Sequence, residues 1–183
     1  MSAAAPPAIG FFFDFDGTIS VSMYVERLQN HAVSDSARRY VVEALSAEEA
    51  VQNFGGPERL AQLKAFLDQL RSRGAKVYII SHGLAQVIAP HLAQVGLDGC
   101  FDAVYGSDTA ELRACGGGHT DKARLIERLM QAQKLSKENC AFFEDTEANL
   151  TPATGVCGCY LVGRGGIDAA GMDAALKRYF TDE

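Results

Sequence analysis

Two pairs of acidic side chains each follow a short apolar run, and their spacing favours metal or proton chemistry. Asp14 and Asp16 follow the first run and lie two positions apart, so on an extended segment both carboxylates point the same way. Glu144 and Asp145 follow a later Phe-Phe run. Like charges this close repel unless a cation or a shared proton relieves them, and Mg²⁺ prefers carboxylate oxygens. Taken separately, each pair has a plainer explanation, either a solvated turn or an acidic helix start.

A hydroxyl and a lysine supply the complementary chemistry, which is the binding of an anion. Ser81-His82-Gly83 follows another apolar run and precedes a helical pattern, where hydroxyl and backbone N–H groups can hold a phosphate. Lys122 opens a later helical pattern, at the end where the helix dipole disfavours a cation, so an anion held by other loops would explain it. A capping serine, a surface histidine and a solvated lysine are the alternatives for each residue alone. Together with the acid pairs, these residues predict a Mg²⁺ site beside a phosphate cradle.

The elements that must position these residues alternate between strands and helices. Apolar runs predict strands at 9–15, 77–80, 103–105, 140–143 and 159–162. Helical periodicity predicts helices at 57–73, 84–95, 122–133 and 168–180. This order predicts an α/β fold, a Rossmann-like parallel sheet flanked by helices on both faces. Ligands bind outside the carboxyl ends of such strands, and the candidate residues stand just after strands or at the start of a helix.

One segment exceeds what the alternating pattern needs. The helix at 57–73 suffices to connect the first two strands, which leaves residues 19–56 as a small helical cap or flap. Ser46 and Glu49 predict a capping box at the start of one helix in this insert. We expect residues 1–8 to form a flexible tail and residues 1–183 to form a single domain that includes the insert.

The composition argues against several classes of protein. The 183 residues carry 17 Lys and Arg against 23 Asp and Glu, a formal charge of −6, which argues against nucleic acid and anionic membranes as partners. The apolar run at 9–13 is too short to span a membrane, and no secretory signal pattern is present, so we expect no membrane partner. The 5 cysteines, an odd number, predict free thiols in a reducing cytoplasm.

The order of these motifs resembles that of the haloacid dehalogenase (HAD) superfamily, the aspartate-dependent phosphohydrolases. Residues 13–18 (Phe-Asp-Phe-Asp-Gly-Thr) look like its first motif, and residues 79–83 (Ile-Ile-Ser-His-Gly) look like its second. Lys122 looks like the third motif and residues 143–146 (Phe-Glu-Asp-Thr) look like the fourth. The match covers residues 9 to about 161 and implies a HAD-like core with a helical cap insert. Many relatives carry two Asp, or Gly-Asp, at the fourth motif, and Glu144-Asp145 resembles the phosphoglucomutase and phosphoglycolate phosphatase branch.

The resemblance implies a role for each residue. Asp14 would attack phosphorus and form an aspartyl-phosphate, while Asp16 would protonate the leaving group and then activate water. Lys122 would offset the charge on the transferring group. The implied phosphate ligands are Ser81, His82, Gly83 and Lys122. The implied Mg²⁺ ligands are Asp14, Asp16 through its backbone carbonyl, Asp145, and Glu144 acting on metal-bound water.

The implied function is a Mg²⁺-dependent phosphatase that hydrolyses a phosphomonoester of a small molecule or of a protein. Asp16 argues against a dehalogenase, which needs no acid at that position. A phosphomutase and a catalytically idle binding protein of the same fold are the alternatives. The small insert argues against the first, since a mutase must exclude water, and the intact motif set argues against the second. No cysteine is followed by Arg at the sixth position and no P-loop pattern occurs, which argues against other phosphate chemistry.

Overall fold

The chain forms a parallel β-sheet with helices on both faces. The computed structural model of the protein describes residues 8–21, 42–163 and 165–180. Within them the strands are β1 Gly10–Phe13, β2 Lys76–Ile80, β3 Ala103–Tyr105, β4 Cys140–Glu144 and β5 Gly158–Leu161. The α-helices are α1 Ala47–Asn53, α2 Pro57–Ser72, α3 Ala85–Gln94, α4 Ala110–Arg113, α5 Asp121–Gln133, α6 Glu147–Leu150 and α7 Ala169–Tyr179.

Strand β1 lies at the centre of the sheet. The strand order is β3-β2-β1-β4-β5, and every neighbouring pair is parallel. Phe13, the last residue of β1, lies opposite Ile79 of β2 and Phe143 of β4. Strands β2 and β3 lie on one side of β1, and β4 and β5 lie on the other, so the sheet has a topological switch point between β1 and β4. The predicted α/β fold is confirmed.

Alternate residues of β1 build the two halves of the core. Phe11 and Phe13 face the layer formed by α2, α3 and α7, and the ring of Phe13 stacks on Phe143 at 5.1 Å. Phe12 faces the other layer, which includes α5, and stacks on Tyr78 at 5.5 Å. Because β1 is buried on both sides, it carries no polar side chain. This packed aromatic centre fixes the position of the residues that follow β1.

Most element boundaries agree with the sequence pattern. The predicted capping box is present, since the N–H of Glu49 donates to Ser46 Oγ at 3.2 Å and the Glu49 carboxylate accepts from the N–H of Ser46 at 2.9 Å. The last strand begins at Gly158 and ends at Leu161, one residue earlier at each end than predicted. The five cysteines are free thiols, as predicted. In the described ranges, no helix combines the length and the apolar character that a membrane span requires.

The predicted insert at 19–56 is described only at its two ends, because residues 22–41 lie outside the described residues, as do residues 1–7 of the predicted tail. Arg59 on α2 joins those two ends. Its guanidinium donates to the carbonyls of Thr18 at 2.9 Å, Ile19 at 2.9 Å and Phe54 at 2.7 Å. The entry to the insert and its exit are therefore held at one point beside the end of β1.

Candidate active site

The candidate residues include three that stand at the carboxyl ends of β1, β2 and β4, neighbouring strands of the sheet. Asp14 follows β1 directly, and its N–H donates to the carbonyl of Phe143 at 2.9 Å, which continues the pairing of β1 with β4. Ser81 follows β2, and Glu144 is the last residue of β4. Parallel strands end at one edge, so the topology brings these side chains together. Asp14, Ser81 and Glu144 are at most 4% exposed.

The turn after Asp14 requires glycine at one position. The chain turns over Phe15–Ile19, and Gly17 takes a φ of 75°, which a residue with a side chain rarely adopts. A Cβ at Gly17 would also overlap the carboxylate of Asp145. Gly17 therefore lets the loop that carries Asp16 approach the loop that follows β4.

Lys122 is a buried cation between two carboxylates. It is the second residue of α5, and its side chain is 1% exposed. Its Nζ donates to Asp14 Oδ1 at 2.7 Å and to Glu144 Oε2 at 2.6 Å. Burial alone would lower the pKa of Lys122, but the two carboxylates outweigh burial and raise that pKa. The alternative of a solvated lysine is therefore wrong.

Asp16 lies in an environment that favours its protonated form. Burial is the largest cause and the charge of Asp14 adds to it, while Lys122 acts in the opposite direction. A smaller contribution from Asp145 also favours the proton, and the net effect raises the pKa of Asp16 to about 7. A carboxyl group that titrates near neutral pH can both give and take a proton within one catalytic cycle.

Carboxylates at the carboxyl ends of β1 and β4 form a group that fits a divalent cation. Asp14, Glu144 and Asp145 each offer an oxygen, and these atoms lie within 4.8 Å of one another. Burial and the charge of Asp14 raise the pKa of Glu144, although Lys122 opposes them, so one ammonium group does not balance the local negative charge. Hard carboxylate oxygens with excess negative charge are what Mg²⁺ prefers. The side chain of Asp16, which was predicted to contribute only its backbone carbonyl, is not a member of this group.

The loop at 81–83 is held by a bond within the loop, and Ser81 does not cap the helix that follows. Ser81 Oγ accepts from the N–H of Gly83 at 3.0 Å. The carboxylate of Asp108 caps the start of α3, accepting from its first two N–H groups at 2.7 and 3.2 Å. The alternative of Ser81 as a helix cap is therefore wrong. The sequence also predicted that the N-terminus of this helix helps to hold an anion. That prediction is wrong for the first two N–H groups of α3, because both already donate to Asp108.

His82, in the middle of that loop, is joined to the start of α5. Its Nε2 lies 2.9 Å from Asp121 Oδ1, and the same oxygen accepts from the N–H of Lys122 at 2.6 Å. The side chain of Asp121 is 7% exposed and that of His82 is 42% exposed. The bond thus connects the partly exposed His82 to α5, the helix that carries the buried Lys122.

The predicted site residues all line one pocket with a volume of about 200 Å³. They are Asp14, Asp16, Ser81, His82, Gly83, Lys122, Glu144 and Asp145. Thr146 and Asn149 also line the pocket: the sequence assigned no site role to Thr146 of the fourth motif and did not point to Asn149. Asn149 Nδ2 donates to Glu144 Oε1 at 3.4 Å, and its Oδ1 lies 2.7 Å from His119 Nδ1. The available signal for Asn149 was its place in the short helix that directly follows the acid pair Glu144-Asp145.

The fold and the site together define the class of the protein. A parallel α/β sheet gathers paired carboxylates, a hydroxyl and a buried lysine at its carboxyl edge. A family model described as haloacid dehalogenase-like hydrolase matches residues 59–156, more than half of the chain. The chain belongs to the haloacid dehalogenase-like family and is a hydrolase, which confirms the resemblance. The matched segment contains Ser81, Lys122 and Glu144-Asp145, whereas Asp14 and Asp16 precede it.

Solved structures share this fold at low sequence identity. The HAD domain of the effector protein Lem4 from Legionella pneumophila has a TM-score of 0.60 and 16% identity, over 94% of this chain and 95% of that one. A haloacid dehalogenase-like hydrolase from Streptococcus pneumoniae has a TM-score of 0.55 and 18% identity, over 91% and 90%. β-Phosphoglucomutase from Clostridium difficile has a TM-score of 0.55 and 14% identity, over 94% and 97%. These similarities concern the fold. No curated protein sequence matches the chain.

Proposed function

We propose that the protein is a Mg²⁺-dependent phosphatase that hydrolyses a phosphomonoester through a phosphorylated Asp14. The observation that carries this proposal is the position of Asp14, bonded to Lys122 and grouped with two further carboxylates that fit a divalent cation. Cations beside a buried carboxylate compensate for the cost of its burial. A carboxylate held in this way at the floor of a pocket is a suitable nucleophile for phosphorus.

The metal would be held by the carboxylates of Asp14, Glu144 and Asp145, together with the backbone carbonyl of Asp16. The oxygens of the three carboxylates are hard ligands and lie close enough to share one ion. Bound there, Mg²⁺ would offset the negative charge of the phosphoryl group and of the attacking carboxylate. Lys122, which donates to both Asp14 and Glu144, contributes to the same charge balance.

The phosphoryl oxygens would be bound by Ser81 and Lys122, with help from the N–H group of His82, while the N–H of Gly83 donates to Ser81 Oγ and holds that hydroxyl in place. Ser81 and Lys122 both line the pocket, and both are 1% exposed. A phosphoryl dianion in a buried pocket needs such donors and positive charge, and donors fixed by the fold need no rearrangement when charge develops. Because Lys122 also bonds to Asp14, it can hold the nucleophile and the phosphoryl group in register.

The chain's own residues account for both steps of hydrolysis. In the first step, the Asp14 carboxylate attacks phosphorus, the bond from phosphorus to the ester oxygen breaks, and Asp16 gives its proton to that oxygen. The alcohol leaves, and Asp14 carries the phosphoryl group. In the second step, water attacks the same phosphorus, Asp16 takes the proton, and inorganic phosphate leaves as the Asp14 carboxylate is restored. The raised pKa of Asp16 supports its part in both steps.

The substrate we infer is a phosphorylated small molecule or a phosphoprotein, since a pocket of about 200 Å³ takes little more than the reacting end of either. The insert at 19–56 would form the cap that selects between them. The five free thiols support a reducing compartment such as the cytoplasm.

The test is the variant Asp14→Asn, assayed by Mg²⁺-dependent release of phosphate from p-nitrophenyl phosphate. We expect turnover to fall by at least about 10³-fold, because the nucleophile is lost. Asp173→Asn, which changes a carboxylate with a 60% exposed side chain on α7, is the matched control and should keep full activity. Urea unfolding of both variants checks that the fold is intact. Undiminished turnover in folded Asp14→Asn would refute the mechanism.

A further inference from the structure

The side chain of His82 lies in the pocket but has no part in the proposed chemistry. It lines the same pocket as Asp14 and Asp16. It is 42% exposed, whereas the neighbouring Ser81 is 1% exposed. The imidazole therefore lies where the pocket opens, beyond the groups that bind the phosphoryl oxygens.

Asp121 determines which ring nitrogen of His82 is left for a ligand. Its Oδ1 lies 2.9 Å from His82 Nε2 and also accepts from the N–H of Lys122 at 2.6 Å. A carboxylate that is 7% exposed needs such partners, so the bond holds the imidazole in one orientation. Among the residues that the structure describes, Nδ1 of His82 has no hydrogen-bond partner. A protonated ring would donate through Nε2 to Asp121 and through Nδ1 to a ligand.

The loop that carries His82 borders the leaving group. A Cβ built on Gly83 would lie 3.1 Å from Asp16 Oδ2, so the loop is packed against the proton donor. In the proposed reaction Asp16 meets the ester oxygen. Substituents a few bonds beyond that oxygen therefore come next to His82.

Charge around the pocket makes this position selective. The described lining contains the carboxylates of Asp14, Asp16, Glu144 and Asp145. The Nζ of Lys122 is already bonded to two of them. Apart from Lys122, His82 is the side chain of the described lining that can carry positive charge. Lys122 and a bound Mg²⁺ would already be engaged by these carboxylates and by the phosphoryl group, so a second anionic group on the substrate needs a further positive partner.

We propose that His82, positioned by Asp121, recognises an anionic substituent of the leaving group. The favoured substrates are phosphomonoesters that carry a carboxylate or a second phosphoryl group near the ester bond. His82 is then a specificity-determining residue, and Asp121 is a positioning residue that acts through it. This inference rests on the proposed phosphatase function and narrows its substrate class.

The experiment compares three aryl esters with Mg²⁺: phenyl phosphate, 3-carboxyphenyl phosphate and 1,3-phenylene bisphosphate. For the wild type we expect kcat/KM at least about tenfold higher for a charged ester than for phenyl phosphate, the size of one hydrogen bond to a charged group. The kcat/KM values of the two charged esters show whether His82 prefers a carboxylate or a second phosphoryl group. In His82→Ala the ratio of charged to neutral ester should collapse towards one, mainly through KM. Asp121→Asn should reduce the same ratio.

Two results would overturn the inference. One is a wild-type enzyme that turns over phenyl phosphate without preferring either charged ester. The other is an equal loss for all three esters in His82→Ala, which would mean that His82 only shapes the loop. His82→Gln, which keeps a donor without charge, gives a second variant if alanine unfolds the chain, and it should lose part of the preference. Absence of Mg²⁺-dependent phosphate release from every ester would instead refute the proposed phosphatase function itself.

Discussion

Replacing Lys122 by methionine tests the charge balance of the site, because methionine fills a similar space without a charge. The Nζ lies 2.7 Å from Asp14 and 2.6 Å from Glu144, and the side chains of all three residues are at most 6% exposed. Without the ammonium, one buried carboxylate must take up a proton at pH 7. For an ordinary carboxyl pKa of about 4, this costs three units of 1.36, or about 4 kcal/mol of unfolding free energy. Broken buried ion pairs cost a similar amount, about 3–5 kcal/mol.

The same reasoning fixes the pH dependence of this loss. At pH 5 the uptake of one proton costs only about 1.4 kcal/mol, so the Lys122→Met variant should come closer to the wild type as pH falls. Urea unfolding followed by circular dichroism in EDTA at pH 7 and pH 5 measures both values. Adding Mg²⁺ should also reduce the difference, since a cation bound by these carboxylates replaces part of the missing charge.

Lys177→Met is the matched control. Lys177 also lies on a helix, and its Nζ is 2.6 Å from Asp173, but its side chain is 75% exposed. Exposed ion pairs contribute roughly 0–1 kcal/mol, so we expect a small effect with no pH trend. A loss below about 1 kcal/mol for Lys122→Met at pH 7, or an equal loss at both pH values, would refute the charge argument. Phosphatase activity of Lys122→Met should fall by about 10²–10³-fold, because a donor to the transition state is gone.

Two further predictions concern pH. The pKa of Asp16, raised to about 7, predicts that kcat/KM for an alkyl phosphate falls about tenfold per pH unit above that value, as the proton donor is lost. p-Nitrophenyl phosphate needs no such proton and should fall less steeply, so equal slopes would contradict this role. Burial lowers the pKa of His91 to about 4, although a hydrogen bond with Gln94 opposes it. Since the unfolded chain takes up this proton near pH 6.5, His91 should cost no stability above that pH, and stability should decrease towards pH 4 by at most about 3 kcal/mol. In urea unfolding, the free energy of unfolding of His91→Leu should lack this decrease between pH 6.5 and pH 4. The same pH dependence in the variant and the wild type would contradict the prediction.

The strands and the sheet edge that carries the candidate site could be predicted from the sequence. Runs such as Phe11 to Phe13 have no polar residue, which is expected only where both faces of a strand are covered. Once those strands are parallel, the residues after them must share one edge, and the structure brings the predicted residues into one pocket. Local pattern and topology were therefore sufficient to select Asp14, Ser81 and Glu144.

The partners of these residues could not be predicted, because they depend on distances between segments far apart in the chain. Asp108 caps a helix that begins 23 residues earlier, and a capping carboxylate usually precedes its helix directly. The bond from Lys122 to Asp14 spans 108 residues, so helix position alone did not separate a buried lysine from a solvated one. The bond from His82 to Asp121 spans 39 residues and has no local signature.

Arg59 gives the fold a consequence for protein evolution and engineering. Its guanidinium binds the carbonyls of Thr18, Ile19 and Phe54, so the segment between Ile19 and Phe54 begins after β1 and ends before α2 at one anchored point. Closing a loop between fixed ends costs only about 0.6 kcal/mol for each doubling of its length. Segments of different size and sequence can thus be exchanged at this point while the catalytic edge stays as it is. If the insert selects the substrate as proposed, grafting the corresponding segment from another family member should change substrate preference while the hydrolase core is kept.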